Sequence, residues 1–151
     1  MKIRIALPIV ALLLGACSSA SAVELPTQKP GLWEVTMKSA KMPGGSRSFR
    51  MCQDAASLAA AKATAAAQKK SCSKYDIHKT GDAWISDVEC TFSSMHIVSH
   101  SVTTVHGDDA FHQQITSTVG SSTTADVTTI DNKYLGACMP GQKAGVPIAV
   151  H

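Results

Sequence analysis

The side chains with chemistry of their own in this 151-residue chain are five cysteines and six histidines. Cys17 stands alone near the start, and Cys52, Cys72, Cys90 and Cys138 follow, separated by 20, 18 and 48 positions. Structural zinc sites bring cysteines in close pairs with roughly two to four residues between them, and dithiol redox centres use C-x-x-C. Neither spacing occurs here, so no metal and no cofactor is expected. Four cysteines in an exported chain point instead to two disulfides. Two disulfides would leave no thiol for nucleophilic work.

The histidines are the next candidates. His96, Val98, His100 and Val102 alternate on one face of a predicted strand, beside Phe111 and Ile115 of its predicted partner. His96 and His100 would lie roughly 13 Å apart on a strand, too far to share one metal ion. They read as surface groups, near a sheet end or turned outward, in preference to a polar notch in an apolar cavity. His100 or His112 would act as acid or base only if the fold brought a carboxylate to it within a cleft. No catalytic residue is therefore assigned, and an enzyme whose site is assembled from scattered histidines and carboxylates is the alternative reading. Asp108-Asp109 beside Gly107 reads as a turn, not a cation site. Gly136–Lys143 falls short of a phosphate loop, because Gln142 separates Gly141 from Lys143 and Pro140 interrupts it. Neither G-x-S-x-G nor H-E-x-x-H is present.

These residues sit behind a leader. Lys2 and Arg4 precede the apolar run Ile5 to Ala16, which has the size of a signal-peptide core and is short for a membrane span. Leu14-Gly15-Ala16-Cys17 resembles a lipobox, with Cys17 lipidated and the leader cut before it. Ala20-Ser21-Ala22 offers a cut after Ala22, so residues 1–22 are read as leader either way. Ser18 after Cys17 favours a protein held at the outer membrane by its lipid; the alternative is a soluble periplasmic product. Loss of Lys2 and Arg4 leaves 12 basic and 11 acidic residues, a net charge of +1 with no basic cluster. Nucleic acid is excluded as a partner on that balance.

Residues 23–30 read as a tether, 31–138 as the folded domain and 139–151 as a flexible tail. Trp33, Val35 and Met37 share one face of a strand, opposite Glu34, Thr36 and Lys38. A turn at Met42-Pro43-Gly44-Gly45 leads to a return strand, Arg47 to Cys52. Asp54 to Lys69 is alanine-rich with an N-cap aspartate, hence a helix. Gly81-Asp82 and Gly107-Asp108 mark two hairpins: Cys72–Lys79 with Ala83–Phe92, and Met95–His106 with Asp109–Val119. Thr123 to Cys138 makes the last strand, bulged near Asp131-Asn132. The fold class is mainly β: a strongly curved antiparallel meander or partly closed barrel of about seven strands with one inserted helix. Trp33 and Trp84 read as core anchors.

Geometry selects the cysteine pairing. A helix of about 17 residues spans roughly 25 Å and holds Cys52 and Cys72 beyond the roughly 7 Å reach of a disulfide. Cys72 and Cys90 begin and end one hairpin. The expected bridges are Cys72–Cys90 and Cys52–Cys138.

Pro30-Gly31-Leu32-Trp33-Glu34-Val35-Thr36-Met37, then Met42-Pro43-Gly44, then the four cysteines closing in Leu135-Gly136-Ala137-Cys138, resemble a proteobacterial envelope family. That family is catalogued as domain of unknown function 3617, and the likeness runs from about residue 28 to 138. It implies a small secreted or lipid-anchored β domain, and it carries no site residue across because the family has no assigned activity. The alanine-rich stretch between Cys52 and Cys72 departs from its pattern. The functional expectation is a non-catalytic binding or structural module of the cell envelope. Its partners would be an apolar small molecule or an envelope protein, and the outer membrane through the lipid anchor.

Overall fold

A computed structural model describes residues 25–150; the leader, both cleavage points and lipidation of Cys17 lie outside the described residues. Strands β1 (Gly31–Ser39) and β2 (Ser46–Gln53) precede the helix α1 (Ala55–Lys69). The helix starts where Asp54 can satisfy its free N–H groups. The Asp54 carboxylate accepts from the Ser57 backbone N–H at 2.7 Å, and the Ser57 hydroxyl accepts from the Asp54 N–H at 2.9 Å. This is a reciprocal capping box with serine in the place more often held by glutamate. Strands β3 (Cys72–Thr80), β4 (Ala83–Phe92), β5 (Met95–His106), β6 (Ala110–Val119) and β7 (Asp126–Gly136) follow as a meander.

All strands join one antiparallel sheet in the order β3-β4-β5-β6-β7-β1-β2-β8, which does not close into a barrel. The eighth strand, β8 (Pro147–Ala149), lies on the outer edge of β2. Seven strands and a loose tail were expected. The segment is instead held beside β2 by the Cys138 bridge and by the Gly145 N–H, which donates to the Cys52 carbonyl at 2.8 Å. The described part of the tether is also tied down. The Gln28 amide donates to Asn132 Oδ1 at 3.2 Å, and the Lys29 ammonium pairs with Asp109.

The cysteines join as Cys52–Cys138 and Cys72–Cys90, the connectivity reached from helix length and hairpin spacing. Cys72 and Cys90 face each other across β3 and β4. The other bridge has a less obvious path. Leu32 of β1 lies between Cys52 of β2 and Gly136 of β7, so the bridge to Cys138 crosses over the start of β1.

The sheet's only irregularity against β1 lies between the pairs Leu32–Gly136 and Trp33–Tyr134, which leaves Leu135 unmatched. The bulge expected at Asp131-Asn132 is therefore displaced; those two residues pair continuously on both sides. The reason sits at Gly31. Its backbone has φ +146°, and a Cβ there would meet the Tyr134 ring at 2.3 Å and the Gly136 carbonyl at 2.5 Å. Only glycine lets the chain pass so close, and the sheet takes up the strain-free path by bulging at Leu135.

Residues directly opposite in the ladder share a face. The register therefore sorts the side chains, and the sorting is complete for two residue types. All seven aromatic residues fall on one face. All five histidines among the described residues fall on the other. The aromatic face is the buried one. Trp33 is 0% exposed, its ring centroid 5.3 Å from those of both Phe111 and Tyr134, and its Nε1–H donates to the Lys29 carbonyl at 2.9 Å. Strands β1 and β6 lie two apart, roughly 9.5 Å. Rings converging to 5.3 Å across that gap, with no second layer above them, mark a sheet curled around its aromatic face.

Candidate functional site

On the aromatic face, packing fades away from Trp33. Helix α1 contributes no buried residue and meets the sheet at β3, where the Lys69 ammonium lies 4.8 Å from the Tyr75 ring centroid. Between the helix and β3–β5 remains a slot of about 240 Å³. Val88, Phe92, Ile97, Tyr75 and the Cys72–Cys90 bridge form its floor, and Ala65, Gln68 and Lys69 its helical wall. Trp84 lies farther along the same face, half-buried, with the Lys79 ammonium 4.3 Å from its ring. Near it the face turns to hydroxyls: Ser86, Ser101 and Thr103 are buried, and the Thr103 hydroxyl has no hydrogen-bond partner among the described residues.

The opposite face is wet and charged. His100 Nδ1 lies 2.9 Å from Asp87 Oδ1 across β4 and β5, and His112 Nδ1 lies 2.7 Å from Asp131 Oδ1 across β6 and β7. Looser pairs join His96 to Glu89 at 3.6 Å and His78 to Asp76 at 3.7 Å. The hydrogen bond from His100 holds the Asp87 carboxyl below the usual carboxylate range, with Lys74 and His78 adding to the effect. All four imidazoles are about half exposed.

His96 and His100 are turned outward, as expected in preference to a notch among apolar groups: they lie on the face opposite Phe111 and Ile115, not beside them. Phe111 faces Val105 and Ile115 faces Ser101, while His100 faces Thr116. The difference is one residue of turn. A two-residue Gly107-Asp108 loop would set His106 against Asp109, but Asp109 also belongs to the turn, since His106 pairs with Ala110. Asp109 is held out of the strand by its pair with Lys29 and by its carbonyl, which accepts from the Tyr134 N–H at 2.8 Å. A one-residue slip turns every side chain to the other face.

The chemistry of these pairs is bounded by their surroundings. His112 stands between Asp131 and Thr104, and His100 between Asp87 and Thr116, so each row sets hydroxyl, imidazole and carboxylate side by side. Nucleophilic catalysis needs the hydroxyl bonded to the second ring nitrogen. No such bond joins either threonine to its histidine among the described residues. No three metal-ligating side chains come together there either. An open depression of about 810 Å³ runs along the ends of β6 and β7, with His106, His112, Asp131, Lys133 and Leu135 around it.

Over residues 28–138 the chain matches the family described as protein of unknown function (DUF3617). It belongs to that family. No curated protein and no solved structure matches it. The octapeptide Pro30 to Met37 that carries the family likeness is the start of β1, and the physical roles of its residues are now visible. Gly31 admits the Tyr134 ring, Leu32 sits under the Cys52–Cys138 bridge, and Trp33 and Val35 anchor the aromatic face. The family's recognisable residues here hold the fold together. The paired histidines lie elsewhere, on strands the likeness does not single out.

Proposed function

We propose that this member of the family is a non-catalytic binding module of the bacterial cell envelope, taking an apolar small molecule on its aromatic face. One observation carries the reading: a sheet buries its apolar face against a second layer, and among the described residues the aromatic face has none beyond a helix without buried residues. The slot between α1 and β3–β5 is the place where a ligand supplies the missing contact. Its 240 Å³ falls below the roughly 300–1,000 Å³ of sites for drug-sized ligands, so a slender chain or a single ring is the fitting shape. The envelope assignment rests on the leader, with its lipobox-like Cys17 and small-residue cut at Ala22.

Native mass spectrometry of the protein purified from its own envelope tests the binding reading. The expected result is a bound apolar species that is lost in Val88→Trp, which fills the slot, and kept in His112→Gln. A ligand-free wild type, or a ligand retained by Val88→Trp, rejects it. Intact mass of the exported product separates the diacylated or triacylated Cys17 form from a chain starting at Val23.

A second reading has its own observation. His112 and Asp131 stand 2.7 Å apart beside the larger depression, the geometry that a general base with an orienting carboxylate requires. Turnover of any ester, amide or phosphoester substrate that disappears in both His112→Asn and Asp131→Asn would establish it in place of the binding module.

A further inference from the structure

We propose that the histidine face is an acid-gated docking surface for an anionic lipid bilayer. The proposal is independent of the slot and of any acyl anchor, because it concerns the opposite face of the sheet.

The argument begins with the charges that the register gathers there. The strands contribute Lys38, Arg50, Lys74 and Lys133 to this face. They also contribute Glu34, Asp76, Asp87, Glu89 and Asp131. With neutral imidazoles this is a nearly balanced surface of net −1. His78, His96, His100, His106 and His112 complete the face, and their protonation carries it to +4. An imidazole makes that change between about pH 5 and 8. The half-exposed rings are open to protonation from solvent. Protonated His78, His96, His100 and His112 neutralise the carboxylates they already touch, so Lys38 and Lys74 are left uncompensated beside protonated His106. Arg50 is bonded to Glu34 at 3.0 Å, and Glu34 also faces Lys133; this corner keeps a net +1 while the rest of the face turns positive.

The remaining side chains favour a bilayer over a soluble polyanion. Val98 and Val127 are 42% and 47% exposed on this face, between the charged rows. Exposed aliphatic groups among cations suit the headgroup and acyl boundary of a membrane. Single-stranded nucleic acid is held by stacking on aromatic rings, and every aromatic ring of the strands lies on the other face. The face is also uninterrupted by α1, which meets the sheet from the aromatic side at Tyr75.

Each cation held against an anionic bilayer raises affinity by roughly fivefold at low salt. Allowing for partial engagement, vesicle affinity should rise tenfold or more from about pH 7.5 to about pH 5. The test uses the exported protein carrying Cys17→Ser, so that no acyl chain is attached. Co-sedimentation is measured with phosphatidylglycerol-containing vesicles and with pure phosphatidylcholine vesicles at both pH values. The proposal expects acid-dependent binding to the anionic vesicles only, reversed by high salt. It further expects a clear part of the acid gain to be lost in His100→Gln/His112→Gln, which removes two of the five imidazoles, while Lys74→Gln lowers binding at pH 5 without changing its pH dependence. Circular dichroism of the variants verifies folding, and salt reversal in the wild type serves as the test should the double variant fail to fold. The proposal is overturned by absence of binding at pH 5, by equal binding to phosphatidylcholine, or by a pH profile unchanged in the folded double variant. Binding of inorganic polyphosphate without binding of vesicles also overturns it, and assigns the face to a soluble polyanion.

Discussion

Phe111 and His112 are adjacent in β6, yet one is buried against Trp33 and the other points into solvent beside Asp131. The same contrast runs the length of the sheet. One face collects the aromatic rings, the other the imidazoles and most of the strand carboxylates. A single-layer sheet permits this separation because its curl shelters one side, with only α1 lying against it among the described residues. The lesson is that buried packing and paired charge are divided between faces, not between domains. Substitutions on alternate residues of one strand should therefore have unlike consequences.

The largest expected effect is on the aromatic face. Trp33→Ala or Phe111→Ala should cost about 3–5 kcal/mol in chemical denaturation, while His112→Ala should stay within about 0.5 kcal/mol. Comparable losses at Phe111 and His112 would break the division between the faces. Gly31→Ala belongs with the large effects, since its methyl group would overlap the Tyr134 ring and the Gly136 carbonyl. Next come the bridges. By the loop-entropy relation, removing Cys52–Cys138 should cost up to about 4.5 kcal/mol and removing Cys72–Cys90 up to about 3 kcal/mol. Double Cys→Ala variants compared by thermal melting check that order; the reverse order would mean that the slot end of the sheet relies on its bridge more than the Trp33 end does.

Smaller effects sharpen the wet face. The Asp87 carboxyl is lowered by the hydrogen bond from His100, so its contribution to stability is present above the ordinary carboxylate value. That contribution is lost as pH falls through the lowered folded value. Melting profiles of the wild type and Asp87→Asn should differ above that range and converge at the acid end. Asp54, lowered mainly by its bond from the Ser57 backbone, follows the same sign. Asp54→Ala should reduce helical circular dichroism at neutral pH while leaving the β signal intact, because α1 buries nothing against the sheet.

Much of this was legible in residue order. Alternation in Gly31–Ser39, the alanine run behind Asp54 and the glycine at position 81 each specify structure over a few residues, where local propensity decides. The cysteine pairing was legible for the same reason, since helix length is a local property with a long-range consequence. Other features depended on contacts distant in sequence. The placement of β1 between β7 and β2, the bulge at Leu135 and strand β8 all turn on the approach of Gly31 to Tyr134 or on the Cys138 bridge. None of these leaves a pattern within its own strand.

By itself, then, the chain's order of residues determined that alternating strands exist, where the helix begins and which segments carry imidazoles. Only the tertiary structure decided which carboxylate each imidazole meets. That choice depends on register: the β3–β4–β5 ladder for His78, His96 and His100, and for His112 the β5–β6 turn that includes Asp109, held by Lys29 and Tyr134. One residue added to a turn exchanges the faces of a whole strand. His112 accordingly lies on the open face beside Asp131, where a turn one residue shorter would have put Phe111 instead.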